Sequence, residues 1–186
     1  MRLRKTSSLS VVALFLVLVV LGCGGDEKAT PPAIGPYTLK IVPETATVTL
    51  DEEVSVDIVV SNVEDLYAAE LRLGFNSDAT SGDGAVEVAK VQEGTFLSEN
   101  DAVTTFFIKE HPVGGGYVEI NTSRAASTGV TSEEDQVLAT VTFKGTAVGT
   151  TALQWTTTDL YDSTQPDGKL IDPNDFTAVG GEITVE

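Results

Sequence analysis

Across 186 residues there is one cysteine, one histidine, one tryptophan and one methionine. A single thiol excludes any disulfide within the chain, and one Cys with one His cannot supply a zinc site of the usual composition. A Ser-His-Asp or Cys-His mechanism would have to use His111. That residue precedes Pro112 and the run Gly114-Gly115-Gly116 and reads as a turn residue, and no serine stands in a nucleophile-elbow context. Basic residues are scarce, 11 against 28 acids, for a formal charge of −17. Arg2, Arg4 and Lys5 lie in an acid-free segment that reads as removed, which leaves eight basic against 28 acidic residues, a net −20. A surface of that sign is repelled by DNA, RNA and anionic membrane faces, so nucleic-acid binding is excluded. Aromatics make up 6% of the chain, few for a platform that stacks sugars. No sequence feature proposes a reaction, a cofactor or a resident metal.

What is present begins with an address. Arg2, Arg4 and Lys5 form a basic region, and residues 9–21 are an apolar run that contains one serine, Ser10. Thirteen helical residues span only about 20 Å, short of the roughly 30 Å hydrocarbon core, as in the apolar region of a secretory signal. Val20-Leu21-Gly22-Cys23 follows, then Gly24-Gly25. This resembles the bacterial lipobox, in which the signal is cut before a Cys that becomes lipid-modified. Residues 1–22 are thus expected to be a lipoprotein signal peptide and Cys23 the lipidation site, holding the protein on a bacterial membrane, outside the cytoplasm. A plain secretory signal and an uncleaved anchor are the alternatives. Residues 23–36, rich in Gly, Pro and charge and without periodicity, read as the lipidated Cys and a flexible linker.

From Tyr37 onward, period-2 alternation recurs and helical periodicity does not. Strands are expected at 39–50, with Pro43 marking a kink or an edge, and at 54–60, 69–75, 85–91, 104–109, 117–122, 137–143, 151–157 and 182–186. In 69–75 the alternation turns Ala69, Leu71, Leu73 and Phe75 inward and Glu70 and Arg72 outward. Nine short strands separated by Gly, Asn, Asp and Ser clusters imply an all-β, antiparallel β-sandwich occupying 37–186 as one domain. Trp155, in a threonine-rich strand, is expected in the core.

The order of residues is more specific than their alternation. The segments VSVDIVVSNVEDLYAAELRLGFNSD (54–78), VAKVQEGTFLSEN (88–100), GGYVEINTSRAASTGVTSEEDQVLATVTFKGTAVGTTAL (115–153) and LYDSTQPDGKLI (160–171), with the closing Gly180-Gly181-Glu182-Ile183-Thr184-Val185, resemble a cohesin domain. The resemblance spans essentially all of 37–186, in order. It implies a nine-stranded flattened jelly roll, shared with some cellulose-binding modules, and non-catalytic binding of a dockerin, a small helical pair that carries its own calcium. It also implies that the partner docks on the outer face of one sheet. The family commonly places Asn and Asp at two outward positions of the third strand, which fall here on Ala68 and Glu70. Glu70 keeps the acid, whereas Ala68 lacks the amide. Arg72, Glu119, Asn121 and Ser123, with Arg124 closing the segment, complete the expected partner-binding set.

The acids Asp159, Asp162, Asp167, Asp172 and Asp175, with Asn174, crowd one Gly-bearing stretch. Oxygen ligands on a loop suit calcium, but the spacing is not that of an EF-hand, so solvated turn acids are expected. Two further functions share the jelly roll: carbohydrate binding, with direct association with polysaccharide, and a structural or adhesive role without a dockerin partner.

Overall fold

The computed structural model describes residues 36–75, 85–111, 116–164 and 168–186. The expected signal peptide 1–22, Cys23 with the linker to residue 35, and Asp167 lie outside these residues. Strands form at β1 (Tyr37–Val42), β2 (Thr45–Val48), β3 (Glu53–Ser61), β4 (Val63–Gly74), β5 (Val86–Glu93), β6 (Thr104–His111) and β7 (Tyr117–Arg124). They continue with β8 (Val130–Ser132), β9 (Gln136–Gly145), β10 (Gly149–Asp162), β11 (Lys169–Leu170), β12 (Phe176–Val179) and β13 (Gly181–Val185). Two three-residue 3₁₀ turns, Glu99–Asp101 and Pro173–Asp175, are the helical elements of the described residues.

Each of the nine expected segments is a strand, and the architecture is the expected sandwich. One sheet runs β12-β1-β3-β9-β5, the other β2-β13-β10-β4-β7-β6, with β8 on β4 and β11 on β10. Three details differ from the expectation. Segment 39–50 is two strands, because Pro43 has no N–H to donate to a ladder and the chain leaves one sheet there and enters the other. Strands β8, β11 and β12 are additional; at two to four residues each they are too short to show a period. Antiparallel pairing is not universal either, since β1 pairs β12 and β2 pairs β13 in parallel.

The two sheets close on one core. Leu39, Ile41, Val56, Ile58 and Val60 from the first sheet meet Leu71, Leu73, Ile120, Leu153 and Ile183 from the second, all within 2% of complete burial. Val141 and Phe143 extend the layer, and the ring of Phe143 meets that of Phe75 edge-on at 5.5 Å. The expected alternation of β4 holds, with Ala69, Leu71, Leu73 and Phe75 buried. Trp155 packs against this core, half-buried, and its indole Nε1 donates to the carbonyl of Val179 at 2.9 Å.

Asp65 fixes the start of β4. Its φ of +57° is a left-handed conformation that Asp tolerates better than most residues. Its Oδ1 accepts from the Gly129 N–H at 2.7 Å, and its Oδ2 accepts from the Ser163 N–H and hydroxyl at 3.2 and 2.7 Å. One carboxylate thereby ties β4 to the residue preceding β8 and to the end of β10. The approach is so close at Gly129 that a Cβ there would stand 2.1 Å from the Asp65 carbonyl oxygen.

Candidate functional site

The outer faces of the two sheets are chemically unlike. On the first, polar side chains satisfy one another: Ser55 and Thr142 hydroxyls lie 2.8 Å apart and Thr140 donates to Asp57 at 2.6 Å. Lys40 pairs with Asp135 at 2.7 Å, and Lys144 with Asp51 at 3.3 Å. On the second, β10, β4, β7 and β6 lie side by side and present an ordered grid of outward residues.

Register builds this grid, because residues opposite each other on antiparallel strands share a face. One row is Tyr161, Ala68, Ser123 and Thr105; the next is Asp159, Glu70, Asn121 and Phe107; the third is Thr157, Arg72, Glu119 and Lys109. The six residues expected from sequence are thus three directly opposed pairs, Ala68 with Ser123, Glu70 with Asn121 and Arg72 with Glu119. The structure brings all six together at the centre of one face. Arg124 departs from them: the alternation of β7 turns it inward, 5% exposed, where its Nη2 donates to the Glu99 carbonyl at 3.4 Å.

In the third row Arg72 and Glu119 neutralise each other, and Lys109 stands opposite Glu119 on the next strand. The Arg72 guanidinium bonds the Glu119 carboxylate and lies 4.8 Å above the centre of the Tyr117 ring. The second row holds no such pair. Asp159 and Glu70 oppose each other directly, two carboxylates on neighbouring strands, with no cation paired to either among the described residues. Both raise the pKa of the Tyr161 hydroxyl, as does, more strongly, its partial burial.

Ala68 is the smallest outward side chain of β4 in this region, and the surface dips over it. The dip encloses about 320 Å³ and is lined by Tyr67, Ala68, Glu70, Thr105, Phe107, Asn121, Ser123 and Tyr161 together with the strand edges at Ala69 and Thr122. Phe107 forms one wall with 56% of its surface in solvent, a large apolar ring on an otherwise polar strand face.

Sequence reading missed Phe107, Tyr67, Tyr161 and Asp159 as members of this face. One signal was available for Phe107: Phe106 and Phe107 are adjacent in an alternating strand, so one of the two rings has to point outward. Asp159 was expected with the loop acids, but β10 continues through it to Asp162 and places it on the sheet. The remaining described acids act locally. Asp162 Oδ1 accepts the N–H groups of Thr164 and Lys169 at 2.9 and 3.1 Å, and Asp172 Oδ1 accepts from Asn174 N–H at 2.9 Å. Among the described residues no three His, Cys, Asp or Glu side chains converge on a point that could hold a metal ion.

No protein-family model and no curated protein matches the chain. Solved structures do. A non-cellulosomal cohesin from the hyperthermophilic archaeon Archaeoglobus fulgidus superposes with a TM-score of 0.59 at 16% identity, over 82% of this chain and 92% of that one. A cohesin solved in a type I cohesin–dockerin complex from Clostridium thermocellum gives 0.60 at 15% identity, over 84% and 97%. A type II cohesin domain from the cellulosome of Acetivibrio cellulolyticus gives 0.57 at 16%, over 80% and 95%. At these identities the likeness is one of fold. The sandwich of β1 to β13 is a cohesin fold.

Proposed function

We propose that residues 37–186 form a non-catalytic protein-interaction module whose β10-β4-β7-β6 face receives a dockerin-type helical partner, which brings its own calcium. In the same reading Cys23 carries the lipid that holds the module on a bacterial membrane, outside the cytoplasm, where captured partners serve polysaccharide breakdown. The observation that carries the reading is the contrast between the two outer faces: one pairs Ser55 with Thr142, Asp57 with Thr140, Lys40 with Asp135 and Lys144 with Asp51, while the other offers a carboxylate pair without a cation beside an exposed Phe107. Apolar anchors ringed by hydrogen-bonding groups are the composition of protein-binding patches. Solved complexes of dockerins with domains of this fold support the choice of partner.

The test is a titration of calcium-loaded dockerins against the wild-type chain and Glu70→Ala. Truncation leaves the partner's donors unsatisfied at a desolvated contact and is expected to cost about 1–3 kcal/mol, roughly ten- to a hundredfold in affinity. Undiminished affinity would put the interface elsewhere, and failure of the wild type to bind any dockerin would favour a structural or adhesive role. One observation favours a second reading, carbohydrate binding: Tyr67, Phe107 and Tyr161 border the same dip. The charged middle row suits a protein surface better than a sugar ring. Titration with soluble cello-oligosaccharides is expected to be flat, and saturable binding lost in Phe107→Ala would reverse that preference.

A further inference from the structure

Two features of the docking face lie side by side and specify different chemistry. The dip over Ala68 is walled by Phe107 and Tyr161 and, at about 320 Å³, sits at the small end of the roughly 300–1,000 Å³ typical of pockets that enclose whole ligands. It has ample room for a bulky apolar side chain. Two residues further along β4, Glu70 faces Asp159 across the β4–β10 ladder. Directly opposed like charges on neighbouring strands are destabilising, and a cation between them removes that penalty. Arg72, the nearest cation along the strand, is engaged by Glu119 and Tyr117.

The spacing connects the two. Outward residues i and i+2 on a strand are about 6.6–6.8 Å apart. Four residues along a helix advance about 6 Å. A helix lying along β4 therefore sets residue i over Ala68 and residue i+4 over the Asp159–Glu70 pair. Both lie on one side of that helix.

We propose that this face selects a helix bearing a bulky apolar residue and, four positions away, a lysine or arginine, with the apolar group seated over Ala68 and the cation between Asp159 and Glu70. This deepens the docking reading and rests on it. Ala68 acts as the specificity-determining residue: where the resemblance implies an amide at that position, the absence of one opens the dip and exchanges a hydrogen-bonding contact for an apolar anchor.

The test is a display library on a calcium-loaded dockerin scaffold, randomised at the outward positions of its helices and selected against the full-length chain. The expected winners carry Leu, Ile, Met or Phe with Lys or Arg four residues away. They are expected to lose tenfold or more in affinity for Ala68→Leu, which fills the dip, and for Phe107→Thr, which removes its wall. Glu70→Lys, which supplies Asp159 with a cation and repels the winner's basic residue, is expected to lose tenfold or more as well. Native circular dichroism of each variant excludes misfolding as the cause. Winners that lack the apolar–basic spacing, or that bind Ala68→Leu undiminished, overturn the inference and leave the docking reading in place. An absence of any enriched binder overturns both.

Discussion

Adjacent residues of β4 divide the labour of the molecule between its two faces. Leu71 is 1% exposed in the core, whereas Glu70 stands in solvent opposite Asp159. Leu71→Ala should therefore destabilise the domain by about 2–5 kcal/mol through lost burial and the cavity left behind. Glu70→Gln should leave stability unchanged or raise it by a few tenths of a kcal/mol, because it removes a like-charge pair. Denaturant melts of the two variants check this. A loss above about 1 kcal/mol for Glu70→Gln would mean that the carboxylate has a structural partner. Asp65 is the opposite kind of acid, with both oxygens committed and a left-handed backbone. Asp65→Ala should cost about 2–4 kcal/mol, from charged hydrogen bonds lost and a Cβ residue left without local compensation at positive φ. Asp65→Asn should fall between it and the wild type, since Asn tolerates that conformation but keeps only one acceptor oxygen.

At the scale of elements, the turn before β8 leaves no room for a side chain. A methyl group on Gly129 would stand 2.1 Å from the Asp65 carbonyl oxygen, so Gly129→Ala must push β8 off β4. The expected cost is about 2–3 kcal/mol. Loss of protection from hydrogen exchange should start at 63–66 and 130–132, and a uniform loss across both sheets would place the strain elsewhere. The long strands were legible because each buries one face, so alternation is written into β3, β4, β7 and β9. The short ones were not. Strands β8, β11 and β12 are held by neighbours rather than by their own pattern, and the extension of β10 through Asp159 to Asp162 looked like turn chemistry. The site divides in the same way. Alternation put Glu70 and Arg72 outward, and the resemblance to cohesins added Ala68, Glu119, Asn121 and Ser123. That Phe107, Asp159 and Tyr161 stand beside them depends on which strands are neighbours and in what register, and that information is spread over 95 residues, from Ala68 to Asp162.

For the molecule as a whole, charge dominates. Residues 37–186 carry seven basic and 26 acidic side chains, a net −19, which favours basic partners and makes their capture weaken as salt is added. Acid acts on folding through particular turns. Burial pushes the Asp162 carboxyl up, but hydrogen bonds from the Thr164 hydroxyl and N–H and the Lys169 N–H, with the Lys169 charge, outweigh it and hold the group below its ordinary 3.8. A carboxyl depressed in the folded state stabilises fully above its unfolded pKa, and that contribution is lost as pH falls through the folded value. The stability difference between the wild type and Asp162→Asn should thus be constant near neutrality and shrink below about pH 4; melts at a series of pH values check it. On the proposed reading, in which the calcium is the partner's, chelator should leave the melting temperature of the free domain unchanged and abolish binding of a calcium-loaded dockerin. A drop in the free domain's melting temperature would reveal a metal among the acids of 159–175.

The central claim, that the β10-β4-β7-β6 face is the docking surface, is tested most directly by amide chemical shifts of the isotopically labelled domain during titration with a calcium-loaded dockerin. The account predicts shifts concentrated at 67–72, 105–109, 119–123 and 157–161, with the opposite face at Ser55, Asp57, Thr140 and Thr142 unmoved. Shifts centred on that opposite face would contradict it.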